Sequence, residues 1–217
     1  IQSPTPAPIV AANGDVCVEE LLQLLAASAA PVGLLQADST TGYEHVRCGR
    51  VLAAGIHGER VAARDSLLRV QLTRRQIGVC YRKGKRLRSL RAVAGLRLAS
   101  RATTAGVRTH LEAAILAAGL DSTEIHAKAQ VVASHREVVL AVLSGRADAG
   151  VVTLAWAERA GLGCLPFAEE SYALGLRADA LEHELGKGLL RAVQSSELRR
   201  ALGRYAGYDA RAAGSVR

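Results

Sequence analysis

Between Leu98 and Leu111 the chain reads L-A-S-R-A-T-T-A-G-V-R-T-H-L, gathering Ser100, Arg101, Thr103, Thr104, Gly106, Arg108 and Thr109 within a few residues. Hydroxyls, a glycine and guanidinium forks, placed where a short apolar strand (Leu96 to Ala99) meets a long helical run, are the materials of an oxyanion site. The first turn of a helix has backbone N–H groups without intrahelical partners and a partial positive charge, so it receives anions. Thr103 or Thr104 also reads as a plain N-cap. Of the two arginines, Arg101 on the strand-to-helix loop is the one placed to add charge at such a site. Arg108, more than a turn inside the helix, reads as part of a solvated face.

These side chains need elements that deliver them to one place. Pro8 to Ala12 predicts a buried strand ending at Asn13-Gly14-Asp15, and Val16 to Ser28 a helix capped by Asp15. Val32 to Gln36 predicts a second strand, Asp38 to Gly42 opens a second helix closed by Arg50, and Val51 to His57 predicts a third strand. After a long extended stretch from Leu67 to Tyr81 the alternation resumes, with strands at Leu96–Ala99, Gln130–Ala133 and Asp148–Thr153, each followed by a helix. Leu162 to Leu176 is extended again, and Ala180 to Leu202 predicts two helices parted near Ser195-Ser196. Strand-then-helix repetition implies parallel sheets covered by helices, in which ligands bind beyond the strand C-termini. Asn13, Ser39, Thr40 and His57 fall at such ends in the first half, and Ser100, Arg101, Thr103, Thr104, Ser134, His135 and Thr153 in the second.

Composition narrows the chemistry. Hydrophobic residues make up 49% of the 217 but aromatics only 3%, which predicts an aliphatic core and argues against a nucleic-acid surface of stacked rings. Every apolar run is cut by charge well short of the roughly 18 residues of a membrane span, so no membrane insertion is expected. The net charge of +8 is concentrated: Glu59 to Arg101 holds thirteen Lys and Arg against two acids, including the turn Arg82-Lys83-Gly84-Lys85-Arg86. Such a segment is either a solvated face or an attractor for an anionic ligand or polymer. Cys17, Cys48, Cys80 and Cys164 are scattered without metal-ligand spacing and read as reduced core residues, which favours the cytoplasm. The histidines have no H-x-x-x-H spacing, and the chain has neither a G-x-S-x-G elbow nor a G-x-x-x-x-G-K-[ST] loop. No catalytic residue, metal ligand or cofactor is therefore expected, and the adjacent acids Glu169-Glu170 read as structural. The opening I-Q-S-P-T-P-A, residues 1–7, reads as a linker or processed end.

Five short stretches, in order, carry a resemblance. They are Ala54-Gly55-Ile56-His57 against A-G-x-H, Leu98 to Thr109 against an R-x-x-G-S-G-T-R-like loop, and Ser144 to Gly150 against S-G-x-A-D-A-G. The others are Phe167 to Tyr172 against L-x-E-E-x-Y, and Gly207 to Gly214 against G-Y-D-x-x-x-x-G. On these the chain resembles periplasmic-binding-protein-like domains, type II, of the molybdate- and tungstate-binding kind. Such domains occur as C-terminal sensors of helix-turn-helix regulators and fused to molybdopterin-biosynthesis proteins. The resemblance implies a two-lobed α/β fold, each lobe a mostly parallel sheet flanked by helices, joined by extended crossover strands. It implies lobe 1 at 8–74 and 164–217 and lobe 2 at 75–163, and it adds Tyr172 to the candidate ligand-binding residues. The implied function is a non-enzymatic sensor domain of a larger cytoplasmic regulator or fused protein. In that reading it binds a small anion, such as molybdate, tungstate or a small carboxylate, in the interlobe cleft. DNA would be reached only through an upstream domain, and a homodimer is compatible with this reading. Two other roles are compatible as well: an exported, periplasmic solute-binding protein of an oxyanion transporter, and a non-catalytic interaction module with a vestigial cleft. Where the family has a glycine–serine–glycine loop this chain reads Ala102 to Val107, replacing the serine and one glycine with stiffer residues. The resemblance therefore implies where the anion sits and leaves its identity open.

Overall fold

Short apolar runs separated by capped helices become, in chain order, β1 (Ile9–Ala12), α1 (Val16–Ala27), β2 (Gly33–Gln36), α2 (Ser39–Arg47), β3 (Ala53–His57) and β4 (Leu67–Tyr81). Then follow β5 (Leu98–Ser100), α3 (Gly106–Ala117), α4 (Ser122–Ala127), β6 (Gln130–Val131), α5 (His135–Leu143), β7 (Ala149–Thr153) and α6 (Leu154–Arg159). The chain closes with β8 (Gly163–Arg177), α7 (Glu184–Gln194), α8 (Ser196–Leu202) and β9 (Tyr208–Asp209), and 3-10 turns occupy Leu90–Gly95 and Ala178–Glu182. This computed structural model describes residues 6–28, 31–57 and 67–216. The start of the expected linker, residues 1–5, and the basic positions Arg60 and Arg64 lie outside the described residues.

The chain divides into two compact units, Ile1–Arg74 with Ser171–Arg217, and Arg75–Glu170. In the first, β1 pairs in parallel with β2 on one side and β3 on the other, and β3 pairs antiparallel with β8 through His57 and Tyr172. Its core is aliphatic, with Val10, Leu21, Leu72, Leu174, Leu189 and Leu198 all at 0–1% exposure beside the buried ring of Tyr172. Asp15 caps α1 as expected: its carboxylate accepts from the Cys17 amide at 3.0 Å and from the Tyr208 hydroxyl at 2.5 Å. In the second unit β5 pairs in parallel with β6 and β7, while β7 pairs antiparallel with β4. Its core joins Leu98, Ala149 and Val151 of the sheet to Val107, Leu111 and Ile115 of α3. The two 15-residue strands β4 and β8 each run from one unit into the other. The fold class is the expected one: two α/β units, each with a mostly parallel sheet, joined by extended crossover strands.

Two local expectations fail, and each has a physical reason. The helix expected from Thr104 begins at Gly106, its N-cap is Ala105, and no side chain caps it. Thr103 and Thr104 instead sit in an exposed turn, closed by a hydrogen bond from the Ala105 amide to the Ala102 carbonyl. Arg108, expected on a solvated face, is only 8% exposed. Its Nε donates to Glu112 at 2.7 Å and its Nη1 to the Arg101 carbonyl at 3.3 Å, and this pairing offsets part of the cost of burying the charge.

Candidate ligand site

Alternation along β5 and β7 decides where their last side chains point. Register pairs Ala99 with Gly150, which puts Ser100 opposite Val151 and on one face with Leu98, Ala149, Val151 and Thr153. That is the face covered by α3, since Leu98, Ala149 and Val151 pack with Val107 and Leu111. Ala99 and Gly150 point the other way, toward Val138 of α5, where a Cβ on Gly150 would meet Val138 Cγ1 at 2.3 Å. Ser100 and Thr153 thus lie toward α3 at the C-terminal ends of neighbouring parallel strands. Both are 0% exposed, and neither hydroxyl has a hydrogen-bond partner among the described residues. A buried hydroxyl without a partner costs free energy, so a fold that keeps two of them on one face is keeping them for something.

Other polar groups follow the same strand ends in the chain. α3 starts just beyond β5, and its uncapped first turn leaves the Gly106 and Val107 amides without a protein acceptor among the described residues. Arg101, 2% exposed, donates from Nη2 to the Ala133 carbonyl at 2.7 Å and so ties the end of β5 to the start of α5. Arg108 holds the carbonyl of the same Arg101. His135, the first residue of α5, is fully buried. Ser134 is the N-cap of α5: its hydroxyl accepts from the Glu137 amide at 3.1 Å while the Glu137 carboxylate accepts from the Ala133 amide. Ser134 is therefore spent on the helix, whereas Ser100 and Thr153 are not. Chemically the unit offers two hydroxyls, two amides at the positive end of a helix and one guanidinium, a set of donors suited to an oxyanion or carboxylate.

The first-unit candidates form a separate group, around Gly55. The Tyr172 hydroxyl donates to Asn13 Oδ1 at 3.2 Å, and the Ser39 hydroxyl donates to the Gly55 carbonyl at 3.0 Å. A Cβ on Gly55 would lie 2.0 Å from the Tyr172 hydroxyl, so the glycine of A-G-I-H is the space the tyrosine ring needs. Asn13, Ser39 and Tyr172 are buried and bonded to one another or to backbone, His57 is half-buried, and Thr40 is exposed.

Sequence reasoning missed one feature of the second unit altogether. Arg75 and Glu170, its first and last residues, form an ion pair with side chains 0% and 1% exposed, Arg75 Nε donating to Glu170 Oε1 at 2.8 Å. The other carboxylate oxygen lies 3.0 Å from Nε2 of His110 on α3. Glu170 thereby links β4, β8 and α3, the helix that covers the Ser100 face of the sheet. Only the adjacency of Glu169 and Glu170 was visible beforehand, and adjacency in a strand puts two side chains on opposite faces.

His126 of α4 is buried near Arg108, and neither ring nitrogen has a hydrogen-bond partner among the described residues. Burial first, and the Arg108 charge second, push its pKa from 6.5 down to about 4, with Glu112 opposing. The unfolded chain takes up this proton near pH 6.5 and the folded one only near pH 4. The contribution of His126 to stability is therefore complete above pH 6.5 and lost as pH falls toward 4. Urea unfolding across that range should show His126→Leu losing less stability than the parent by about 3 kcal/mol; parallel pH profiles would contradict the assignment.

A family model described as a PBP superfamily domain matches residues 23–194. The chain belongs to the PBP superfamily. No curated protein matches the sequence. Among solved structures, this PBP-superfamily chain is similar to the effector-binding domain of QuiR in complex with shikimate, with a TM-score of 0.66 at 13% identity over 93% of this chain and 99% of that one. The effector-binding domain of a BenM variant gives 0.65 at 13% identity, covering 95% and 99%. An ABC-type phosphate transport receptor from Vibrio cholerae gives 0.63 at 12% identity, covering 92% and 98%. At such identities these neighbours speak for the fold, which in them serves ligand binding. Among the described residues no group of three or more His, Cys, Asp or Glu is placed to hold a metal ion, and no helix is long and apolar enough to cross a membrane.

Proposed function

We propose that this PBP-superfamily chain is a ligand-binding domain for a small anion, an oxyanion of the molybdate, tungstate or phosphate kind or a small carboxylate. One observation carries the reading: the partnerless buried hydroxyls of Ser100 and Thr153 lie on the face of β5 and β7 that α3 covers, and α3 begins without a side-chain cap. Neutral donors aimed at a helix N-terminus bind an anion without a lysine cage, and a single guanidinium adds charge and a planar fork. Thr103, Thr104 and His135 border this donor set in sequence and belong to the proposed contact region. The first-unit group of Asn13, Ser39, Thr40, His57 and Tyr172 belongs to the proposal in a second role, that of shaping which anions are accepted.

The wider role proposed is that of the sensor domain of a larger cytoplasmic regulator. Effector-binding domains among the structural neighbours support it, as do four free cysteines. Sequence upstream of Ile1 discriminates: a helix-turn-helix agrees with a regulator, and a signal peptide would replace this role with that of an exported binding protein. Ligand identity is tested by a thermal-shift panel of molybdate, tungstate, phosphate, sulfate, shikimate and benzoate. A ligand present at 100 times its Kd stabilises by about 2.7 kcal/mol, and a chain of this size should melt roughly 5 to 10 °C higher. A flat response to every anion on the panel, up to millimolar concentration, would reject anion binding.

A further inference from the structure

The basic turn that the ligand site leaves unused sits at the other end of the second unit. Antiparallel register pairs Ile77 with Thr153 at the C-terminal end of β7, beside the donor set, and Tyr81 with Ala149 at its N-terminal end. Arg82 to Arg91 therefore emerges where β7 begins, and the Arg82 guanidinium lies 3.3 Å from where a Cβ on Gly145 would stand. Six cations, Arg82, Lys83, Lys85, Arg86, Arg88 and Arg91, occur in these ten residues with no acid among them. All but the half-buried Arg82 are exposed.

The density of cations without an acid among them distinguishes this surface from the rest. On the helices several exposed cations are matched by acids a helical turn away, as in Arg47–Glu44, Lys128–Glu124, Lys187–Glu184 and Arg200–Glu197, while Arg50, Arg136, Arg146, Arg199 and Arg204 are exposed without a salt bridge among the described residues. None of the six makes a salt bridge among the described residues, and the nearby carboxylate, Asp148, is held by Arg97 through two hydrogen bonds of 2.9 and 3.0 Å. The backbone beneath them is anchored. Leu87 and Val93 are buried at 9% and 0% exposure with Leu90 packed alongside; Leu90 and Val93, three apart on the 3-10 turn, share its inward face, while the cations lie outward. The segment from Arg82 to Arg97 contains no aromatic residue and no exposed large hydrophobic one. It therefore lacks the platforms that stack single-stranded bases and the wedges that enter a bilayer. Four of the six are arginines, whose forks match single phosphate groups.

We infer that Arg82–Arg91 is a docking surface for the phosphate backbone of double-helical DNA, independent of the anion site. Cations that neutralise phosphates release condensed counterions, so binding is sequence-independent and falls steeply with salt. The test is fluorescence anisotropy of the 217-residue protein with a 20-base-pair duplex of arbitrary sequence, in a salt series from 25 to 200 mM. Engagement of five or six of these cations gives a log–log salt slope of about −5. The quadruple variant Lys83→Gln, Arg86→Gln, Arg88→Gln, Arg91→Gln should bind at least about tenfold more weakly at low salt, with the slope shallower by about 3. A control with the same loss of charge, Arg47→Gln, Lys128→Gln, Lys187→Gln, Arg200→Gln, should stay within about twofold of the parent, and melting curves confirm that both variants fold. An equal loss in the control, tighter binding to a single strand, to double-helical RNA or to phosphatidylserine vesicles than to the DNA duplex, or a salt-independent titration would each overturn the inference.

Discussion

Arg75→Met should destabilise the protein by about 3–5 kcal/mol, because it strands the Glu170 carboxylate in a site where its side chain is 1% exposed. For a chain of this length that lowers the melting temperature by roughly 6 to 20 °C. The double variant Arg75→Met, Glu170→Met should recover most of the loss, since a buried ion pair exchanged for apolar side chains of similar volume is often neutral or better. Removing His110 should cost far less: its side chain is 33% exposed, so water can take the place of the imidazole, and the Glu170 carboxylate keeps its pairing with Arg75. Urea unfolding of the four proteins decides the matter. A single variant within about 1 kcal/mol of the parent would mean that water already solvates the pair. The pair bears on function because Glu170 also faces His110 on α3, the helix whose first turn belongs to the proposed site.

Ser100→Ala and Thr153→Val make the second large prediction, in which stability and binding move in opposite directions. Each substitution deletes a buried hydroxyl that has no partner, so the ligand-free protein should be unchanged or more stable by up to about 1–2 kcal/mol. Thr153 makes no capping hydrogen bond to α6, so the helix loses nothing. A bound anion, however, would lose a charge-assisted hydrogen bond with each hydroxyl, worth about 1.5–3 kcal/mol or roughly 10- to 150-fold in affinity. Differential scanning fluorimetry with and without the best anion of the panel reads both quantities at once. Destabilisation of the ligand-free protein would show that the hydroxyls serve the fold, and unchanged ligand response would remove them from the site.

Much of the architecture was legible because it depends on local pattern. Asp15 and Asp38 stand immediately before helical spacing and cap α1 and α2, and the alternation of short apolar runs with capped helices announced parallel sheets. Long unbroken extended stretches from Leu67 and toward Leu176 announced the strands shared by the two units. The polar residues at strand ends were equally visible, since a strand that stops before a helix exposes its last residues to the same edge. The short helix α4 gave no such signal: six residues are too few to show a period.

What each polar residue does was decided by tertiary structure, because hydrogen-bond partners come from distant parts of the chain. Ser39, Ser134 and Ser100 look alike as hydroxyls at element boundaries. Ser39 is consumed by the Gly55 carbonyl sixteen residues away, Ser134 by its own helix, and Ser100 is left over. Arg108 was read as solvated because helical position alone says nothing about a neighbouring carboxylate or a loop carbonyl that folds back onto it. Arg75 and Glu170 lie 95 residues apart in sequence, and only the pairing of two strands brings them together. The sequence by itself determined the kind of fold and the edge of each sheet where the polar candidates collect, since periodicity and capping are local. Packing alone determined which of those polar residues remain available to a ligand, since a donor is free only when the rest of the molecule has not already used it.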